Sequence, residues 1–256
     1  MKQRTIGNTG VTVSALGLGC NNFGLRIDEE ASRAVIHKAL DLGITFWDTA
    51  DVYGKRGGSE TMLGRHLGAR RKDIFLASKF GGAMHAPEDK NGNMKGCSRR
   101  YIMQAVEASL KRLNTDWIDL YQMHRFDQET PLEETMRALD DLVKQGKVRY
   151  LGFSTLVGWP FVDMQWTAKQ LGTTPLTCCE SEYSLLKRDA ERDLIPAMLK
   201  HGAQLLPYYP LAGGFLTGKY KRNAPLPEGA RITKGERYQG MFISEENWDI
   251  LDKLEA

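Results

Sequence analysis

Two periodicities alternate along the 256 residues and lay out the elements. Residues 3–6 and 11–14 flank the turn-forming Gly7-Asn8-Thr9-Gly10 and read as a small hairpin. A first strand at 16–19 is followed by a helix at 29–42, where Ala31, Ala34, Val35, Ala39 and Leu42 share a face and Gly43 supplies the stop. A second strand at 44–48 leads to a helix at 59–69 begun by Ser59, and a third strand covers 74–79. Beyond a polar loop at 81–97, Ser98 caps a helix that aligns Ile102, Val106, Leu110 and Leu113. A fourth strand at 117–124 precedes a helix opened by Pro131 and running to about residue 145. Strands at 148–153, 176–182 and 204–207 then alternate with helices at 160–171 and 189–200. A Gly- and Pro-rich irregular segment fills 209–243, and a last helix begins at Ser244.

Strands and helices alternating at intervals of roughly thirty residues predict parallel strands with right-handed crossovers. The expected architecture is a (β/α)8 TIM barrel of one domain over residues 1–256, preceded by the small hairpin. A doubly wound open sheet competes, but Gly17-Leu18-Gly19 with Gly24 lacks the spacing of a dinucleotide fingerprint. The segment Gly213-Gly214-Phe215-Leu216-Thr217-Gly218-Lys219 fits the phosphate-loop pattern, yet Tyr220 stands where a small hydroxyl should follow. Seven strands use up the sequence, and another βα unit would need roughly thirty residues. The expectation is therefore a chain without the eighth unit, cut from a longer protein, with unpaired backbone on its first and seventh strands.

Charge and composition narrow the functional classes. Lys and Arg number 35 against 32 Asp and Glu, a net +3 with no basic stripe, which gives nucleic-acid binding no support. No apolar run reaches the roughly 18 residues of a membrane span, and Met1-Lys2-Gln3-Arg4-Thr5 lacks a leader's apolar core. Cys20, Cys97, Cys178 and Cys179 show no paired spacing and fit reduced thiols in a cytoplasmic protein. His37, His66, His85, His124 and His201 are not spaced as metal ligands, so no metal is expected.

In a barrel the reactive face lies at the C-terminal strand ends, so the residues that end each strand carry the chemistry. Asp48 ends the second strand, Lys79 the third and His124 the fourth; Ser154 follows the fifth, Glu180 lies late in the sixth and Tyr208 follows the seventh. Tyr53 stands five residues beyond Asp48. These types suit proton delivery to a carbonyl oxygen. A buried ammonium at Lys79 is expected to lower the Tyr53 pKa, Asp48 to balance Lys79, and a neutral His124 to orient the carbonyl. None of the four can donate hydride, so a nicotinamide-type cofactor is required.

The sequence resembles the aldo-keto reductase superfamily over residues 4–256. The matching motifs are Asp48-Thr49-Ala50 with Tyr53-Gly54, Ser78-Lys79, Ser98-Arg99-Arg100, the run from Asp116 to His124, and Glu182-Tyr183-Ser184-Leu185-Leu186. The resemblance implies NADPH/NADP+ as cofactor and reduction of a small-molecule carbonyl substrate, with Asp48, Tyr53, Lys79 and His124 as catalytic tetrad. It implies cofactor contacts at Ser154, Thr155, Glu180 and Tyr208, in the strap at Leu211, Gly213 and Lys219, and at Gly19 and Cys20. Thr155 and Glu180 depart from the family's Asn and Gln. Glu180 can accept from the nicotinamide amide but cannot donate to it. These departures keep a second reading open, an NADP(H)-binding regulatory or sensing subunit with little turnover. Trp47, Phe23, Phe80, Arg125 and Trp159 are candidates for the substrate pocket, Arg125 for an anionic substrate.

Overall fold

Residues 1–84, 94–155 and 157–255 are described in the computed structural model. The chain opens with an antiparallel hairpin, β1 (Gln3–Thr5) and β2 (Thr12–Ser14). Next come β3 (Gly17–Gly19), α1 (Glu29–Asp41), β4 (Phe46–Asp48), α2 (Tyr53–Leu67), β5 (Phe75–Phe80), α3 (Arg99–Leu113) and β6 (Ile118–Met123). The series continues through α4 (Leu132–Lys144), β7 (Val148–Ser154), α5 (Gly158–Leu171), β8 (Leu176–Glu182), α6 (Leu194–Lys200) and β9 (Gln204–Tyr208), and finishes with α7 (Glu236–Phe242) and α8 (Glu245–Glu255). Strands β3 to β9 form one parallel sheet in chain order, with β3 and β9 as its edges among the described residues. No described helix is long and apolar enough to cross a membrane.

Local chemistry accounts for the boundaries. Asp28 accepts from the Ala31 amide at 2.9 Å to start α1, and Ser98 accepts from that of Tyr101 at 3.3 Å to start α3. Asn114, with φ of 50°, ends α3. The first turn of α2 is irregular: residues 54–57 all have positive φ, so regular helix starts where Ser59 was expected to start it. Two boundaries differ from the sequence reading. Helix α6 shrinks to Leu194–Lys200 behind a short 3-10 turn, and α7 lies inside the segment expected to be irregular. Residues 85–93 of the 81–97 loop, with His85, lie outside the described residues.

Strand alternation gives the sheet two faces. Outward residues such as Leu76, Phe80, Tyr121 and Met123 pack with the helices in the main apolar core. Inward residues of separate strands meet one another: Phe75 and Ala77 of β5, Leu120 of β6 and Cys178 of β8 form one cluster with Ile6 and Val13 of the hairpin. Phe46, Tyr150 and Leu206 pack against it, so six strands share an interior and the sheet is curled as a barrel requires. The hairpin closes the end where the strands begin. Ser14 exchanges hydrogen bonds of 2.8 Å with Thr45, and the Asn8 amide donates to the Gly202 carbonyl at 2.9 Å.

Candidate active site

Above this apolar floor the interior turns polar at the C-terminal strand ends. Lys79 is two residues beyond inward-facing Ala77, and Gln122 two beyond Leu120, so both point inward. The register pairs Lys79 with Gln122, and Ser154 with Glu180. Asp48 ends β4, and the strand-to-helix turn brings Tyr53 back over it, its amide donating to the Ala50 carbonyl at 3.1 Å. Gly54 makes this turn possible. Its φ is 67°, and a Cβ there would lie 2.4 Å from the Ser59 amide nitrogen and 2.6 Å from the Phe23 carbonyl oxygen.

The four expected residues come together. The Lys79 ammonium, 1% exposed, donates to Asp48 Oδ2 at 2.5 Å and to the Thr49 carbonyl at 3.2 Å, and lies 3.5 Å from Tyr53 Oη. His124 presents its ring edge-on to Tyr53, with centroids 5.6 Å apart. Its backbone amide donates to the Phe80 carbonyl at 2.8 Å, and its buried Nδ1 has no hydrogen-bond partner among the described residues. Burial, with the positive charges of Lys79 and Arg125, lowers the His124 pKa to about 3 and keeps the imidazole neutral.

One electrostatic expectation is corrected. Burial pushes the Tyr53 phenol above its ordinary range; Lys79 pulls it down, while Asp48 and Glu180 push it further up. The net shift is upward, so Lys79 does not make Tyr53 a low-pKa phenol. Burial disfavours the Lys79 charge, but Asp48 and Glu180 outweigh that and hold the ammonium firmly protonated. Asp48 is pushed up to about 7, first by burial and then by the Glu180 charge, against the attraction of Lys79.

Two partners of Lys79 and Asp48 escaped the sequence reading. Glu180, assigned there to a cofactor amide, has Oε2 3.1 Å from Lys79 Nζ. Gln122, fully buried, donates to Asp48 Oδ1 at 3.2 Å and to Glu180 Oε2 at 3.3 Å. The signal for Gln122 was an amide at an inward position of the strand, two residues beyond apolar Leu120. Gly152 makes room for it, since a Cβ there would meet Cys178 Sγ at 2.8 Å and Gln122 Cγ at 3.0 Å. Asp51, three residues beyond Asp48, is 1% exposed and belongs to a second buried network behind the site. It accepts from Tyr101 Oη at 3.3 Å, while nearby Glu60 accepts from Ser78 at 2.5 Å and from Arg112 at 2.7 Å.

The residues expected to hold a cofactor lie at or just beyond the C-terminal ends of β3, β7, β8 and β9. Ser154 and Thr155 sit at the end of β7; the Thr155 amide donates to the Glu180 carbonyl at 3.0 Å, and its hydroxyl donates to the Val157 carbonyl at 3.2 Å. Tyr208 ends β9 with its ring edge-on to Tyr209. Gly19 ends β3 with open space where a Cβ would stand, and buried Cys20 donates its amide to the Asp48 carbonyl at 2.8 Å. Leu211 is 54% exposed at the head of a strap in which Ala212, Gly213, Gly214 and Gly218 all have positive φ. A Cβ on Gly214 would lie 3.2 Å from Lys219 Nζ, so a side-chain-free backbone surface faces a cation there. That cradle fits a phosphate group. Of the pocket candidates, Trp47, Phe23 and Phe80 are core residues instead, no more than 2% exposed. Trp159 is 56% exposed and stacks edge-on against Phe126 at 5.0 Å, and Arg125 is exposed beside it in sequence. Among the described residues no group of three or more His, Cys, Asp or Glu side chains is placed to hold a metal ion.

Known proteins are similar to this chain in sequence. The aldo-keto reductase yakc [NADP(+)] of Schizosaccharomyces pombe is 40% identical over 98% of this chain and 73% of its own length. An uncharacterized oxidoreductase, YrpG of Bacillus subtilis, is 40% identical over 91% of this chain and 73% of its own length. A probable voltage-gated potassium channel subunit beta of Arabidopsis thaliana is 32% identical over 99% of this chain and 76% of its own length. Residues 15–255 match the profile of the Aldo/keto reductase family, and with this curled seven-stranded sheet the chain belongs to that family.

Proposed function

We propose that the protein catalyses NADPH-dependent reduction of a small aldehyde or ketone to an alcohol, with Tyr53 as proton donor. The observation that carries this reading is the convergence of Asp48, Tyr53, Lys79 and His124 from three neighbouring strand ends in one polar layer. When bound, NADPH supplies the hydride. Tyr53 delivers the proton to the carbonyl oxygen, and its raised pKa means it starts protonated throughout the neutral range. His124, held neutral, orients that oxygen by hydrogen bonding. Lys79 supplies positive charge beside the phenolate formed at Tyr53, and Asp48 fixes the ammonium in place. Ser154, Thr155, Glu180 and Tyr208 would hold the nicotinamide end, while the Gly213 to Lys219 strap would cover the phosphates; the cation-lined glycine cradle supports that assignment. The name of the Schizosaccharomyces pombe relative supports NADP(H) as the cofactor. We assign the protein to the cytoplasm as one barrel-type domain.

NADPH consumption with a panel of small aldehydes tests this reading. Tyr53→Phe is expected to lower kcat by about 10²- to 10⁴-fold while NADPH binding persists. Equal rates in the two proteins would discard Tyr53 as the acid. The similarity to a channel β subunit favours a second reading, NADP(H) sensing with little turnover. Tight NADPH binding without consumption across the panel would select it.

A further inference from the structure

The Lys79 ammonium has three N–H donors but four oxygen neighbours. Asp48 Oδ2 stands at 2.5 Å, Glu180 Oε2 at 3.1 Å, the Thr49 carbonyl at 3.2 Å and Tyr53 Oη at 3.5 Å. Tyr53 is the most distant claimant. Gln122 closes a ring behind the ammonium by donating to both carboxylates. A single cation therefore faces two carboxylates inside one buried layer, and both of them bear on the same nitrogen.

We propose that Glu180 is a positioning residue of this site: it competes with Tyr53 for the third N–H of Lys79 and sets its negative charge beside Asp48, so that the charge around the ammonium governs how strong an acid Tyr53 is. This rests on Tyr53 being the proton donor. When Asp48 is protonated, its claim on Lys79 weakens, an N–H turns to Tyr53, and phenolate formation becomes easier. When Asp48 is ionised, it and Glu180 draw the ammonium away and repel the developing phenolate.

The other groups around Tyr53 leave this balance to the three charges. His124 stays neutral with its pKa lowered to about 3, and Arg125 beyond it is exposed to solvent. Burial raises the thiols of Cys20, Cys178 and Cys179, and it pushes Tyr208 up to about 12. Asp48 is pushed up to about 7 by burial and by the Glu180 charge, which puts the switch in the neutral range. Glu182, one position beyond Ser181 on β8, lies beside Tyr208 and acts on that residue.

Two measurements test the proposal with Glu180→Gln, an isosteric neutral change. In the ligand-free protein, carboxyl-carbon NMR, assigned with Asp48→Asn, should find Asp48 titrating near neutrality in the wild type and at distinctly lower pH in Glu180→Gln. In aldehyde reduction at saturating NADPH, wild-type kcat should step down roughly three- to tenfold from pH 5 to pH 9, and Glu180→Gln should lose the step. An ordinary Asp48 titration in the wild type would overturn the proposal without any variant being needed. So would an unchanged step in Glu180→Gln. The two readings fail separately: full activity in Tyr53→Phe would remove the proton donor, whereas an inactive Tyr53→Phe with an unmoved step would remove only the role of Glu180.

Discussion

At the residue scale, burial decides the protonation states that neighbours alone would have set otherwise. Tyr53 shows this in the candidate site, where a lysine at 3.5 Å loses to desolvation and two carboxylates. Asp51 shows it behind the site. Its Oδ1 has no hydrogen-bond partner among the described residues, and its pKa is pushed up to about 7, first by burial and then by the Glu60 charge. The unfolded carboxyl ionises near pH 4, so between pH 4 and 7 the folded chain holds a proton that the unfolded chain has released. Folding stability from this group is therefore present at low pH and falls as pH rises through that window. Asp51→Asn should remove the loss, so its stability relative to wild type should grow by about 2–4 kcal/mol between pH 4 and pH 8. Urea midpoints at the two pH values check this; a difference that does not change with pH would show that Asp51 ionises freely in the fold.

Elements carry those residues to one place, and glycines control how closely they approach. Gly54 holds the positive φ that folds Tyr53 over Asp48, with backbone atoms packed where a side chain would begin. Gly54→Ala should misplace Tyr53, lowering kcat by about tenfold to 100-fold with a stability loss of about 1–3 kcal/mol. Gly58→Ala, whose Cβ would meet nothing nearer than the Gly24 carbonyl oxygen at 3.7 Å, should leave kcat unchanged and serves as the comparison. Steady-state kinetics and urea midpoints on both variants separate the cases, and an undisturbed Gly54→Ala would show that the turn does not position Tyr53.

Element order was legible because period-2 and period-3.6 runs, caps and glycine stops are local signals. The strand ends Asp48, Lys79 and His124 followed from counting them off. The side-chain contacts across the barrel interior were not legible: Glu180 on β8 reaches Lys79 on β5 across the curled sheet, and Gln122 fits between them only because Gly152 is bare. Nor was the sign of the Tyr53 shift, which depends on how completely all four groups are desolvated. Helix α7 was hidden by the glycines and prolines around it, and its Phe242 packs against the strap only in three dimensions.

For the whole molecule, the apolar clusters divide the work. The main core binds the helices to the outer face of the sheet, and the hairpin cluster fills the interior below the polar layer. A third cluster, built on Phe215, Tyr220, Ile232, Phe242, Trp248 and Leu251, anchors the strap beside the opening. Arg26, on the segment after β3, donates to Tyr238 of α7 at 2.8 Å and ties the first strand's loop to that same cluster. Rigid layers beneath the site hold Lys79 and Asp48 buried, and burial gives their charges force. The central claim is that this layer delivers a proton from Tyr53 to a carbonyl oxygen as hydride arrives at its carbon. A single-turnover reaction of an aldehyde with NADPH deuterated at the transferred position tests it most directly. The account predicts alcohol carrying the deuterium at its carbinol carbon from the wild type, and bound NADPH with almost no product from Tyr53→Phe. Unlabelled alcohol, or labelled alcohol formed equally fast by Tyr53→Phe, would contradict it.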